Sequence, residues 1–291
     1  MKRILITGSD SFVGKNFIHH SKYRDVKEIS LIVNNPEDIN FEGVDIVVHL
    51  AAIVHQSKKI PEYEYFKINR DLCLRVAKSA KKSGVKQFVF LSTFKVYGNI
   101  IPNSEVLEEN SPSFPTDSYG KSKHEAELGL SQMEDTGFTV SIIRTPLVYG
   151  DGVKANMLSL LKLVEKFPIL PFGQVNNNRS YTFVENLVGF IDKIIEKKAS
   201  GIFIAMDENP LSTTELVRCI AKNFGKKIYL FKMPGFLMKI GTSLFPGLFN
   251  RLYGSFEFDN RNTLEVLDFK PPYTSEEGIK KMVLTYKKNK F

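Results

Sequence analysis

An α/β fold built on a doubly wound parallel sheet is predicted by three observations. Short, continuous apolar runs recur through residue 205. Stretches with helical spacing separate them. The first run leads straight into a glycine-bearing turn and a helix start. Strands that helices cover on both faces read this way, because neither face meets water.

The elements follow in order. Arg3-Ile4-Leu5-Ile6-Thr7 reads as a buried strand. Ile29 to Val33, Val44 to Leu50, Gln87 to Leu91, Thr139 to Ile143 and Ile202 to Ala205 read the same way. Helices are expected over Asn69 to Ser83 and Tyr119 to Glu134. Ligands of such sheets bind at the carboxyl ends of the strands. After Gly152 the rhythm breaks into helical pieces and Pro/Gly turns, among them Pro168, Pro171, Gly173, Pro210 and Pro271-Pro272. A smaller α+β lobe is expected there. The larger unit takes residues 1–152 plus roughly 181–205, and the smaller takes 153–180 plus roughly 206–291. Ser212-Thr-Thr-Glu215 has the spacing of a capping box opening a helix through Phe224. Met233 to Tyr253 is apolar, but Lys239, Pro246, Asn250 and Arg251 interrupt it. It reads as a buried or lid-like helix pair, with a membrane-surface patch as the alternative.

Composition narrows the classes. A chain of 291 residues, 43% hydrophobic, can bury a large core and fill two lobes. Its two cysteines, Cys73 and Cys219, form no disulfide framework, which fits a reducing cytoplasm. The histidines (His19, His20, His49, His55 and His124) have no ligand spacing, so no metal is expected. Met1-Lys2-Arg3 runs into an apolar stretch too short for a signal core, and no 18-residue apolar span exists. The net charge of +8 comes from scattered lysines without an aromatic-interleaved stripe. A solvated basic surface is expected, and no nucleic-acid partner.

Two local patterns carry chemistry. Thr7-Gly8-Ser9-Asp10-Ser11-Phe12-Val13-Gly14 joins the first strand to a helix. Glycines let the backbone turn tightly and approach a pyrophosphate, and the helix N-terminus favours the anion. Ser11 occupies a position where glycine is usual, which requires a negative φ or tolerated strain. A dinucleotide site is expected, with Gly8, Ser11, Phe12, Val13 and Gly14 against it. The segment after the second strand, Ser30 to Asn35, has neither the acid that selects NAD nor the arginine that selects NADP. Asn34, Asp38 and Ile39 are the candidates on that side, and NAD or NADP stays open. The second pattern is Tyr119-Gly-Lys-Ser-Lys123. Residues four apart share a helix face. A nearby ammonium favours a phenolate, so Lys123 is expected to lower the Tyr119 pKa and make a proton-transfer pair.

With these pieces the chain resembles the extended short-chain dehydrogenase/reductase family, nearest its nucleotide-sugar epimerases and 4-keto-sugar reductases. The resemblance spans nearly the whole chain and rests on five blocks. These are Thr7 to Gly14, His49-Leu50-Ala51-Ala52, Leu91 to Gly98, Tyr119 to Lys123, and Arg144-Thr-Pro146-Leu-Val-Tyr149-Gly. It implies a Rossmann domain binding NAD or NADP, lined also by Leu50, Ala51, Ala52 and Pro146. It implies that Thr93 orients the reacting oxygen, Tyr119 moves its proton, and Lys123 holds the nicotinamide ribose. Asn156 and Arg179 match residues that contact a nucleotide diphosphate sugar in the family, though Ser180 stands where an acid is usual. Lys95 and Arg251 join them as substrate candidates, and Arg261 is a weaker one of the same kind. Phe94-Lys95 replaces the Asp-Glu of the sugar dehydratases, which argues against dehydration. The resemblance implies a UDP-linked N-acetyl-hexosamine 4-ketoreductase, with a UDP-hexose 4-epimerase and a non-catalytic redox sensor as alternatives. It also implies a homodimer through the helices at Asn69 to Ser83 and Tyr119 to Glu134.

Overall fold

Five of the six apolar runs, with the segment Val26–Ile29 in place of the sixth, form one parallel sheet. The computed structural model describes residues 2–54, 60–98 and 106–290, so His55 lies outside the described residues. The chain begins β1 (Ile4–Thr7), α1 (Phe12–His20), β2 (Val26–Ile29) and β3 (Ile46–His49). It continues α2 (Glu62–Tyr65), a π-helical stretch at Phe66–Leu72, α3 (Cys73–Lys82), β4 (Gln87–Leu91), α4 (Ser118–Ser131) and β5 (Thr139–Arg144). Then come β6 (Leu147–Tyr149), α5 (Ala155–Lys166), β7 (Ile169–Leu170), β8 (Tyr181–Phe183), α6 (Val184–Lys197) and β9 (Gly201–Ile204). The last part is α7 (Thr213–Phe224), β10 (Tyr229–Leu230), α8 (Gly235–Leu244), α9 (Pro246–Tyr253), α10 (Arg261–Leu267) and α11 (Ser275–Lys288).

The main sheet has the order β2-β1-β3-β4-β5-β9. Every pairing in it is parallel. From β1 the chain steps one way to β2 and the other way to β3. The crevice between β1 and β3 is therefore the switch point where this architecture binds ligands. Strand periodicity splits the core in two. Ile4, Ile6 and Val48 face one cluster with Phe17, Leu187 and Ile191. Leu5, Val47 and Phe88 face the other with Val76, Ala77 and Leu130. Each such side chain contributes about 1.5–3 kcal/mol by leaving water. A third cluster gathers α5, α7, α11 and β8 around Leu161, Phe183, Leu216 and Val283. The capping box at Ser212 and Glu215 is formed on both sides.

Three expectations need correction. β2 ends at Ile29, and Ile32 and Val33 are 95% and 79% exposed. This is an edge strand with Lys27 and Glu28 exposed, so the apolar run after it was not the buried segment. The helix expected from Asn69 starts a full turn or more earlier, after Pro61, and includes the π-helical stretch. Met233 to Tyr253 does fold as a helix pair, but it is not buried: in α8 and α9 only Gly241 is. Among the described residues no helix is long and apolar enough to cross a membrane.

Candidate active site at the carboxyl end of the sheet

The glycine turn closes onto the neighbouring strand. Gly8 has φ +74°, and a Cβ there would lie 2.7 Å from the Ala51 amide nitrogen. A Cβ on Gly14 would lie 2.3 Å from the Gly8 carbonyl oxygen. Both positions therefore need glycine for the strand, turn and helix to pack. Ser11 takes φ −70°, the negative value a serine requires. Its hydroxyl accepts from the Gly14 amide at 3.0 Å and caps α1. Val13 and Leu50 are buried, with Phe12, Ala51 and Ala52 half-buried around the turn. The cradle fits a dinucleotide pyrophosphate: backbone without side chains, at a helix N-terminus, at the switch point. The far side is less developed. Asn34 donates to the Ser30 carbonyl at 2.8 Å, and Asp38 accepts from Asn35 at 3.1 Å. The Ile39 side chain belongs to the apolar cluster beneath the sheet, which leaves only its backbone for a ligand. Pro146 is buried just past β5, its carbonyl accepting from the Thr145 hydroxyl at 2.7 Å.

Thr93 and Tyr119 meet past the end of β4, and the Lys123 ammonium reaches the last carbonyl of that strand. Thr93 is extended, φ −149°, and its hydroxyl accepts from the Lys95 amide at 3.3 Å, capping a 3-10 turn over Phe94–Tyr97. Tyr119 sits in the first turn of α4 and has Thr93 as a hydrogen-bonding neighbour. Burial pushes the phenol up to about 12, against the opposing Thr93 hydrogen bond. The expectation that Lys123 lowers the Tyr119 pKa therefore fails for the free protein. The reason is where the lysine goes. Its ammonium donates to the Leu91 carbonyl at 2.7 Å and lies 4.2 Å from the Phe90 ring centroid. Burial pulls its pKa down to about 8, partly offset by Cys73 and Glu127. At neutral pH the phenol is thus an acid with its proton in place, while the Lys123 ammonium is turned to the end of β4.

Several residues the motifs did not name hold α4 in position. Asp117 accepts from the Gly120 amide at 2.8 Å as N-cap and pairs with the Lys95 ammonium at 3.0 Å. Lys95, expected on the substrate, is thereby tied to the helix that carries Tyr119. A Cβ on Gly120 would lie 2.5 Å from the Lys95 carbonyl oxygen, so the helix start and the 3-10 turn touch backbone to backbone. Farther along α4, buried Glu127 accepts from Arg144 Nη2 at 2.7 Å and from the Ser92 hydroxyl. Burial works to raise that carboxyl, but the Arg144 guanidinium and the Ser92 hydroxyl help hold it below its usual range. Asn69, inside the π-helical stretch, bonds both backbone groups of Ile53 and the Ser122 hydroxyl at 3.1 Å. The Asp before Ser-Tyr-Gly was the one readable signal, an N-cap residue at a helix start.

The three other substrate candidates converge elsewhere. Arg251 Nη1 donates to the Asn156 Oδ1 at 3.3 Å. Arg179 donates to the carbonyls of Gly254 at 2.8 Å and Asn250 at 3.2 Å. Burial pulls the Arg179 pKa down, and the charge of Arg251 adds to that. Among the described residues the partners of the two guanidinium groups are carbonyl and amide oxygens, with no carboxylate among them. A guanidinium without a carboxylate partner is chemically suited to receive an anion. Ser180, where an acid is usual, accepts from the Phe258 amide at 3.1 Å and so fixes the strand bridge that carries Arg179 to Phe256. Phe256 meets Phe94 edge-on at 4.8 Å, linking this region to the turn after Thr93. A cavity of ≈ 310 Å³ lies beside it, lined by Gln174, Asn177, Lys232, Met238 and Tyr253. Arg261 is apart, paired with Asp259 and facing solvent.

A cradle for a dinucleotide beside a Tyr–Lys helix defines a class of enzyme. The NAD dependent epimerase/dehydratase family model matches residues 4–204, and the chain belongs to that family. It is 36% identical to a UDP-glucose 4-epimerase of Vibrio cholerae, over 96% of this chain and 94% of that protein. It is 31% identical to the N-acetyl-alpha-D-glucosaminyl-diphospho-ditrans,octacis-undecaprenol 4-epimerase of Escherichia coli O157:H7, over 70% of this chain and 62% of that one. The UDP-glucuronic acid 4-epimerase of Bacillus cereus, solved with NAD, shares the fold at TM-score 0.76 and 17% identity, covering 99% of each chain.

Proposed function

We propose that the protein reduces the 4-keto group of a UDP-linked, 6-deoxy N-acetyl-hexosamine with NADH or NADPH, for surface polysaccharide sugars. The observation that carries this reading is Tyr119 held as a neutral acid next to Thr93. A reduced nicotinamide dinucleotide, its pyrophosphate held by the Gly8–Gly14 cradle, would supply the hydride. Thr93 hydrogen-bonds the ketone oxygen and fixes its direction. Tyr119 gives its proton to that oxygen as the carbon is reduced. Lys123, one helical turn on, supplies positive charge for the phenolate left behind. Asn156, Arg179 and Arg251 bind the diphosphate, and the cavity beside them takes the nucleoside. A homodimer through α3 and α4 belongs to the same reading, with Leu128 52% exposed on that face.

The relative from Vibrio cholerae favours a second reading, a UDP-hexose 4-epimerase with tightly held NAD. The relative from Escherichia coli adds that a polyprenyl-diphosphate sugar would present the same diphosphate to Arg179 and Arg251. One experiment separates the readings. The purified protein is given NADH or NADPH with UDP-4-ketosugars and, separately, UDP-hexoses. Stoichiometric loss of the reduced nicotinamide absorbance with a 4-ketosugar is the expected result. Copurified NAD with interconversion of UDP-hexoses, and no net consumption, replaces the reductase by the epimerase.

A further inference from the structure

The helix pair α8–α9 carries an apolar face that the chemistry above leaves unused. Phe236, Ile240 and Leu244 recur every fourth residue, and Leu237 lies beside them, so the four make one stripe about 100° wide. That stripe faces away from the protein: the four residues are 65%, 51%, 66% and 42% exposed. Phe245 and Leu248 extend it across the turn at 60% and 52% exposed. The contact that closes the pair lies beside the stripe, where Gly241 meets the Phe249 ring so closely that a Cβ would not fit. A soluble helix turns its apolar stripe inward. Contiguous apolar surface of this kind marks an interaction site.

Charge says what covers it. Residues 226–256 contain Lys226, Lys227, Lys232, Lys239 and Arg251, and no Asp or Glu. The whole chain has 32 acids, so the gap is local. A second copy would bring like charges together. A lid closing over the sugar would turn the stripe toward the protein. An anionic bilayer surface satisfies both features at once, since apolar side chains enter the acyl boundary and lysines meet the headgroups.

We infer that α8–α9 docks the protein on an anionic membrane surface, with Phe236, Leu237, Ile240, Leu244 and Phe245 entering the interface. The same hairpin brings Lys232 and Met238 to the cavity and Arg251 to Asn156. Docking therefore sets the anion-binding residues close to the headgroups, where a diphosphate carried on a lipid would be presented. That last consequence rests on the diphosphate reading of Arg179 and Arg251; the docking itself does not.

Vesicle co-sedimentation of the full chain tests it. Binding is expected to vesicles of phosphatidylcholine mixed with phosphatidylglycerol, to weaken with salt, and to be slight with phosphatidylcholine alone. The double variant Phe236→Ser/Leu244→Ser, both exposed sites, should lower partitioning about tenfold or more. Lys239→Glu should lower it about fivefold. Both should keep the wild-type circular dichroism spectrum and turnover of a soluble nucleotide sugar. Absence of binding to anionic vesicles overturns the inference. So does full binding by the double variant, which would mean a diffuse basic surface. A shift of the double variant to a smaller species on size-exclusion chromatography would assign the stripe to a second copy instead. No substrate enters the vesicle measurement, so its failure leaves the reductase reading standing, and the reverse.

Discussion

At Tyr119 the free protein stores a proton rather than a charge. With its pKa pushed up to about 12 by burial, the phenol is neutral across the physiological range. Tyr119→Phe should lower turnover by about 10²–10⁴-fold, the usual worth of a placed general acid. Dinucleotide binding, followed by quenching or enhancement of nicotinamide fluorescence, should stay near wild type. Retention of full activity would remove Tyr119 from the chemistry. Lys123 gives a test on stability. Its folded pKa of about 8 lies below the ordinary lysine value of 10.5, chiefly through burial. Between those values the unfolded chain holds a proton that the folded chain does not, so wild-type stability rises with pH there. Relative to Lys123→Met, the wild type should gain about 3 kcal/mol from pH 7 to pH 10.5, read from denaturant midpoints. A flat difference would mean that the ammonium is not desolvated. The Tyr–Lys pair was legible in the sequence because i and i+4 share a helix face. The direction of the lysine was not, because it depends on a carbonyl of β4 32 residues away.

The element that sets the site is the first turn of α4. It is anchored by the Asp117 cap, the Lys95–Asp117 pair and the backbone contact at Gly120. Gly120 is helical with no need of positive φ, so the trouble with Gly120→Ala is purely contact. The added methyl would force the helix start away from the Phe94–Tyr97 turn, and with it Tyr119 away from Thr93. We expect a loss of about 1–3 kcal/mol in stability from overpacking. The drop in kcat should be larger than that loss implies, with dinucleotide affinity little changed. Unaltered kcat would show that the turn and helix can part without disturbing Thr93 and Tyr119. Elements were readable where burial was two-sided: β4 matched at both ends, and β1, β3, β5 and β9 within a residue or two. The edge strand β2 and the outward-facing pair α8–α9 misled, because apolar content was taken for burial. The π-helical stretch leaves no periodic mark; it is tied to Ile53 and Ser122 through Asn69, a contact between distant segments.

For the molecule as a whole, the carboxyl end of the sheet concentrates buried ionisable groups, and this shapes its response to acid. His49 lies at the end of β3 between the Phe88 and Phe90 rings, at 5.7 and 6.0 Å, with Nδ1 3.0 Å from the Thr7 hydroxyl. Its Nε2 has no partner among the described residues. Burial pulls its pKa down to about 3, and the Lys123 charge adds to the effect. The folded chain therefore excludes a proton that the unfolded chain binds below about 6.5. His49 contributes stability that is fully present above that pH and is lost as pH falls toward 3, about 4–5 kcal/mol over the whole window. Asp192 and Asp207 work the other way, since burial raises both and they favour the folded state in acid. The prediction is that His49→Phe, which keeps the ring and its stacking, unfolds at lower pH than wild type. It should be somewhat less stable at pH 8, where the Thr7 hydroxyl loses its hydrogen-bond partner. Urea midpoints from pH 8 to pH 4 would show the two curves crossing. If they run parallel instead, the acid sensitivity lies with the carboxylates and not with this histidine.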